Sequence, residues 1–412
     1  MNTAKGMRLY IGLYGRRNVG KSSLLNALTR QQVSIVSPHA GTTTDPVEKP
    51  MELLPLGPVL FIDTAGIDDT GELGALRMEK TRACLKRTDL AVLIVAESGW
   101  GAFEEELFSE LRQYTIPMMV VFNKIDLCEP ERAVVHHLDG EKVPHVRVSA
   151  LSGEGIGDLR SALIATAPEE FMHSPRLISD LVPAGKTAVL VVPIDKEAPK
   201  GRLILPQVQT IRELLDNDSL CIVCKERELR AALDNLRTPP ALVVTDSQAF
   251  LKVAGDVPKS VPMTGFSILF ARIKGDLTTM VRNTLAIETL QPGCRVLIAE
   301  ACTHHPIADD IGRVKIPRWL TQYKGFPIDF VTCQGHDFPD DLSTFSLVIH
   351  CGGCMHNRRE MISRLSQCAA VNVPMTNYGL SIAYTLGIFE RALSPFPAAY
   401  EAYLDARRNS GQ

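Results

Sequence analysis

The chain has 412 residues, of which 45% are hydrophobic and 22% charged, the composition of a globular protein with two to four domains. With 44 Lys and Arg against 47 Asp and Glu, a net charge of −3 and only 6% aromatic residues, a chain-wide basic, base-stacking surface is excluded and nucleic acid is not an expected partner. No apolar run approaches the roughly 18 residues of a membrane span, so no membrane role is expected. The N-terminus lacks an apolar signal core, which predicts a cytoplasmic protein; the 10 cysteines then point to metal or redox chemistry rather than to disulfides.

Short β-rich runs at 8–15, 59–63, 89–96, 117–123 and 145–149 alternate with amphipathic segments, which predicts an α/β domain with a mostly parallel sheet over residues 1–168. Pro168, Pro175 and Pro183 mark a linker over 167–185. Strands at 187–195, 219–225 and 241–246 with helices at 206–217 and 227–236 predict a second α/β unit over 176–262. Its Cys221 and Cys224 stand three apart on a strand and so point to opposite faces, which suits packing and not chelation. Beyond Pro258 and Pro262, a long helix at 269–290, strands at 295–301, 328–332 and 346–350, and helices at 309–323 (interrupted near Pro317) and 357–371 predict a third α/β unit over 263–412.

The first unit carries a nucleotide site. Gly15-Arg-Arg-Asn18-Val19-Gly20-Lys21-Ser22-Ser23 fits G-x-x-x-x-G-K-S/T between a predicted strand and a predicted helix. Its backbone N–H groups can surround phosphate oxygens, with Lys21 on the β/γ-phosphates and Ser22 on Mg²⁺. Asp63-Thr-Ala-Gly66 ends a strand, where a carboxylate can hold Mg²⁺ through water and the Gly66 N–H can sense the γ-phosphate. In Gly41-Thr-Thr43-Thr-Asp45, a Thr hydroxyl, assigned to Thr43, can join Mg²⁺ once the γ-phosphate orders the loop. Asn123-Lys124-Ile-Asp126 ends another strand, and Asp126 can accept two hydrogen bonds that guanine offers and adenine does not, which selects GTP. Ser149-Ala150-Leu151 then faces the guanine carbonyl through backbone N–H groups. Lys21, Thr43 and Gly66 are the expected catalytic positions.

These motifs, over residues 8–168, resemble the GTPases of the Era and TrmE type. The resemblance implies that Asn18 helps to hold K⁺ beside the phosphates and that K⁺ stimulates hydrolysis. Ile67 follows Gly66 where other GTPases carry a water-orienting glutamine, so slow hydrolysis is expected.

The third unit carries a second constellation. Cys302-Thr-His304-His305 follows one predicted strand and His350-Cys351-Gly-Gly-Cys354 follows another. Ligands of open α/β sheets gather at the carboxyl ends of strands, so the two segments can meet. Three thiolates with nitrogen donors suit an iron–sulfur cluster or zinc, and Gly352 and Gly353 let the backbone wrap closely. Cys333 reads as core unless Cys302 is remote. His336 and His356 read as surface or loop residues, and Cys84, Cys128, Cys294 and Cys368 as packing residues.

In this order, an Era/TrmE-like GTPase, a middle α/β unit and a Cys-x-His…His-Cys-x-x-Cys pattern resemble, over essentially the whole chain, the [FeFe]-hydrogenase maturation GTPases of the HydF family. The resemblance implies a [4Fe–4S] cluster on Cys302, Cys351 and Cys354, with the fourth iron position open among His304, His350, a carboxylate and water. It implies a scaffold that carries a transient two-iron subcluster with CO and CN⁻ ligands to apo-[FeFe]-hydrogenase. The implied partners are radical-SAM maturases, the hydrogenase and a second copy of the chain joined through the middle unit. The alternative is an RNA-modification or ribosome-assembly GTPase with an appended zinc domain, which predicts salt-sensitive RNA binding.

Overall fold

The computed structural model describes residues 5–29, 46–64, 72–97, 99–172, 176–194, 203–302 and 310–409. The chain divides into two units, Met1–Ser174 and Pro175–Gln412.

The first unit is built on six strands: β1 (Leu9–Tyr14), β2 (Val47–Leu53), β3 (Gly57–Asp63), β4 (Leu90–Val95), β5 (Met118–Phe122) and β6 (His145–Arg147). They lie in the order β2-β3-β1-β4-β5-β6, and every pair but β2–β3 is parallel. The central strands β1, β4 and β5 are buried along their length, which is why they read as unbroken apolar runs. Alternate residues serve opposite faces: Val92 and Ile94 join one apolar cluster, and Ala91, Leu93 and Val95 another. Sequence reading misses β2 because Pro50 interrupts it. An edge strand tolerates proline, since one side of it has no ladder to complete.

The second unit holds two parallel sheets. The first contains β7 (Thr187–Val191), β8 (Leu220–Cys224), β9 (Leu242–Thr245) and β10 (Met263–Gly265) in the order β10-β9-β7-β8. The other contains β11 (Arg295–Glu300), β12 (Asp329–Gln334), β13 (Leu347–His350) and β14 (Met375–Asn377) in the order β12-β11-β13-β14. One contiguous apolar core, from Leu177 to Tyr403, serves both sheets. The first sheet also takes its edge strand β10 from beyond residue 262, so segments 176–262 and 263–412 fold as one compact unit.

The chain enters this unit through a carboxylate. Glu213 accepts the backbone N–H groups of Leu177, Ile178 and Ser179 at 2.8–3.0 Å. The expected long helix at 269–290 is three helices, Phe266–Lys274, Leu277–Thr284 and Ala286–Thr289. The break falls at Gly275-Asp276, where the Asp276 side chain caps the next helix by accepting from Thr279 N at 3.1 Å. The expected interruption near Pro317 is one turn of π-helix, Ile311–Lys315, leading into the helix Ile316–Lys324.

Candidate functional site

Nucleotide motifs occupy the carboxyl ends of β1, β3 and β5 and the loop after β6. Lys21 is buried, and its Nζ donates to the Gly15 and Arg16 carbonyls, both at 2.8 Å, so the ammonium is held over the loop that follows β1. Ser22 Oγ donates to Asp63 Oδ2 at 2.7 Å, which brings the two expected Mg²⁺ positions together. Burial pushes the Asp63 carboxyl up, partly offset by the Ser22 hydrogen bond and by Lys21 and Lys49. A bound cation there would favour the ionised form.

Asn123 is a buried tie between motifs. Its Nδ2 donates to Val19 O at 2.8 Å, and its Oδ1 accepts from Ala150 N at 3.1 Å. Gly20 has φ +91°, and a Cβ there would collide with Asn123 Nδ2, so both backbone and space require glycine. The Ala150 N–H, expected on the guanine carbonyl, is therefore engaged by Asn123. Ser149 is buried, and its hydroxyl accepts from Ser152 N at 3.1 Å. Lys124, at φ +62°, pairs with Glu97 at 2.9 Å. Asp126 is exposed, with its carboxylate available to a base. Asn18 is exposed and left-handed at φ +63°, and Ser23 lies in the first turn of the helix Lys21–Thr29. Thr43 and Gly66 lie outside the described residues.

The cysteine segments converge at the carboxyl ends of neighbouring strands. β11 and β13 pair with Ala299 opposite His350, and Cys351 N donates to Ala299 O at 2.9 Å. The segments bearing Cys302 and Cys351 are thus brought to neighbouring strand ends, and Cys354 follows three residues after Cys351. The Cys351 sulfur accepts from Ala301 N at 3.1 Å and Gly353 N at 3.4 Å. Gly353 has φ +65°, a left-handed conformation that favours glycine in this wrap. Burial pushes the Cys302 and Cys351 thiols up to about 12; the next causes are Cys354 for Cys302, and Cys354 and Cys302 for Cys351. Cys354 is also raised by burial, against the opposing charge of Lys274. Burial and mutual repulsion of the thiolates keep these groups protonated, and a positively charged occupant would favour loss of their protons. This is a soft donor set suited to an iron–sulfur cluster or zinc.

Several groups around the thiols carry no sequence signal. Lys274 is buried, and its Nζ donates to Gly353 O at 2.7 Å and His356 O at 2.6 Å. Burial lowers it to about 8, against the pull of Cys354 and Cys351. In the sequence it is an ordinary lysine within the helix expected at 269–290. Glu300 and Asp310 are buried carboxylates on the Cys302 side, and the hydroxyl of the half-buried Tyr378 lies 3.5 Å from Glu300 Oε1.

His350 is fully buried. Its Nε2 accepts from Arg364 Nη1 at 3.0 Å, which leaves Nδ1–H to donate to Cys351 O at 2.9 Å. Both ring nitrogens are engaged, and as a ligand His350 would have to release one. Burial and Arg364 hold it down at about 3. His304 lies outside the described residues. Two expectations are corrected. His356, expected at the surface or in a loop, is in a loop but fully buried, because the turn after Cys354 folds under the helix Arg358–Ala370. Cys128, expected to pack, is exposed on the loop after β5. Cys333 shares its charged neighbour Arg364 with Cys368, and burial raises both thiols.

Comparison with known proteins accounts for the domain order. Residues 10–124 match the family model described as 50S ribosome-binding GTPase. Residues 177–275 match the hydrogen maturase F dimerization domain, and residues 278–395 match the hydrogen maturase F tetramerization domain. The last two span more than half of the chain and support self-association. All three cysteines fall in the segment described as the tetramerization domain. GTPase Der of Wolinella succinogenes is 36% identical over 164 residues, covering 37% of this chain and 35% of that protein. The tRNA modification GTPase MnmE of Nitrosomonas europaea is 38% identical over 158 residues, covering 38% and 34%. GTPase Era of Aquifex aeolicus is 32% identical over 184 residues, covering 42% and 61%. The chain thus spans about a third of the length of the first two relatives, and the likeness is to their GTPase part. Among the described residues no helix is long and apolar enough to cross a membrane.

Proposed function

Since the chain belongs to the hydrogen maturase F family, with a GTPase domain followed by that family's dimerization and tetramerization domains, we propose that it is a GTP-hydrolysing scaffold that holds a [4Fe–4S] cluster and passes a two-iron subcluster to apo-[FeFe]-hydrogenase. What supports this reading is that Cys302 and the Cys351–Cys354 segment follow the paired strands β11 and β13, with the three thiols electrostatically coupled, in a chain that also bears guanine-nucleotide motifs. The appended-zinc RNA GTPase is not favoured, because the residues after 177 match hydrogen maturase F domains.

In the nucleotide site, Lys21 neutralises the β/γ-phosphates, Ser22 and Asp63 hold Mg²⁺, and Asp126 selects guanine. Thr43 and Gly66 complete the catalytic set on sequence grounds. Asn18 holds K⁺, which offsets the missing glutamine at Ile67 and stimulates a slow hydrolysis. In the cysteine site, the three thiolates hold the cluster, which supplies an iron position for attachment of the cargo. Ala301 and Gly353 donate N–H groups to the Cys351 sulfur, and Lys274 offsets thiolate charge. The two-iron subcluster with CO and CN⁻ ligands is cargo, received from radical-SAM maturases. GTP state controls exchange of these partners in the cytoplasm. Self-association through the middle segment is supported by β8, an edge strand with Leu220 and Val223 exposed beside Leu215.

The test is anaerobic reconstitution with iron and sulfide, followed by reduction and EPR, on wild type and on Cys302→Ala, Cys351→Ala and Cys354→Ala. A [4Fe–4S] signal lost or sharply altered in each variant, with GTPase activity retained, is the expected result. Stoichiometric zinc and no cluster in the wild type would refute the reading.

A further inference from the structure

We propose that His336, His356 and Glu360 form a second, mononuclear site for a divalent transition metal, separate from the three cysteines. Their ligand atoms all lie within 4.8 Å of one another. His336 Nδ1 is 2.9 Å from Glu360 Oε1, and His356 Nε2 is 3.4 Å from the same oxygen. Donors bonded at 2.0–2.2 Å to one ion stand about 3.0–3.4 Å apart in tetrahedral or octahedral geometry. Both histidines therefore already stand at ligand spacing from the Glu360 carboxylate, His336 through a hydrogen bond that an ion would replace.

A second observation points to a missing occupant. His356 is fully buried, yet neither ring nitrogen makes a hydrogen bond, and the buried Glu360 Oε2 makes none either. Buried polar atoms in native proteins are almost always paired. Here the unpaired atoms belong to two of the three residues that share one point in space. An ion accepting a lone pair from His356 Nε2 and from the Glu360 carboxylate would give a partner to one of the two ring nitrogens and to the carboxylate.

Donor chemistry narrows the ion. Two imidazoles and one carboxylate suit Zn²⁺, Fe²⁺ or Co²⁺, whereas Mg²⁺ and Ca²⁺ prefer oxygen alone. Arg364 does not compete for the open oxygen. Its Nη2 donates to Glu360 Oε1 at 3.1 Å and to Gly335 O at 2.6 Å, orienting the carboxylate. The His336 side chain is 51% exposed and gives the ion a path from solvent. The His356 carbonyl also holds Lys274, so occupancy would stiffen the turn that follows Cys354. None of this depends on what the cysteines bind.

The test uses the full-length chain with Cys302, Cys351 and Cys354 all changed to Ser, titrated anaerobically with Co²⁺. Absorbance and metal content after gel filtration are the readouts. About one Co²⁺ per chain is expected, with d–d bands and no thiolate charge transfer. His336→Ala and Glu360→Gln on that background should each weaken binding at least tenfold while leaving the thermal unfolding transition in place. Should the triple variant not fold, His336→Ala in the wild type should remove one nitrogen/oxygen-ligated Co²⁺ and leave any thiolate band intact. A folded triple variant that retains no Co²⁺, binding indifferent to His336→Ala, or a thiolate band in the triple variant would each overturn the proposal.

Discussion

Replacing Asn123 by Ala tests whether the phosphate loop and the guanine-recognition loops are one mechanical piece. Two bonds are lost. Val19 O, beneath a fully buried contact at 2.8 Å, is left without its donor, at a cost of about 2 kcal/mol. Ala150 N, at a part-buried contact of 3.1 Å, can recruit water, so its cost is about 1 kcal/mol. The first unit should therefore lose about 3 kcal/mol before any nucleotide is added. Trp100 and Trp319 are the 2 tryptophans of the chain, one in each unit. A Trp319→Phe background makes Trp100 fluorescence a report on the first unit alone. With a urea slope of about 2 kcal/mol/M, the midpoint should fall by about 1.5 M. Asn123→Asp should be at least as damaging, since it keeps the acceptor for Ala150 but sets a carboxylate oxygen against the Val19 carbonyl. A midpoint shift under about 0.25 M for Asn123→Ala, equivalent to about 0.5 kcal/mol, would refute the reasoning.

Three further outcomes follow from the same structure. Asp126→Asn should weaken GTP about 10³-fold and improve xanthosine triphosphate, because its exposed carboxylate is the group proposed to meet the base edge; equal GTP affinity in competition binding would sink the assignment. Glu213→Ala should cost the second unit about 2–3 kcal/mol, read by Trp319 in urea, because three backbone N–H groups lose a charged acceptor; no shift would show that water replaces it. Burial pushes the Asp180 carboxyl up, but the Arg272 hydrogen bonds and charge outweigh it and hold the group below its usual range. Its stabilisation is then present above pH about 3.9 and is lost as pH falls through the lower folded value. Between pH 6 and pH 3 the wild type should lose up to about 1 kcal/mol more than Asp180→Asn in urea titrations, the scale of a half-exposed pair, and parallel pH profiles would refute it.

Legibility followed the range of the interactions. The GTP motifs are local in sequence, and each sits at a strand end, so spacing alone placed Lys21, Asp63, Asn123 and Asp126. The placing of the Cys302 and Cys351 segments at neighbouring strand ends was also legible, because parallel strands deliver their following loops to one edge. What escaped was set by distant partners. Asn123 engages Ala150 through a contact that no motif encodes. Lys274, Arg364 and Glu360 look like solvated helix charges until the loop at 351–357 folds over them. The helix break at Gly275-Asp276 had a local cause, an Asp cap serving Thr279, that the apolar periodicity of the flanking turns masked. The shared core of the two C-terminal sheets was hidden for a different reason. An apolar face toward a helix of its own sheet and one toward its neighbour's leave the same pattern.

That shared core bears on how the cysteine site works. The helix Phe266–Lys274 lies in the segment matching the dimerization domain, yet its last residue, Lys274, holds the Gly353 and His356 carbonyls of the cysteine loop. In return, Arg358, just past that loop, donates to Ile273 O at 2.8 Å and Gly275 O at 2.9 Å. The loop is pinned at both ends by one helix terminus, and Arg364 fastens its flank to His350 and Glu360. A loop so held has little freedom of its own on the side of Cys351 and Cys354. Displacement of the Lys274 helix, which lies in the segment matching the dimerization domain, would therefore reach the Cys351–Cys354 loop directly.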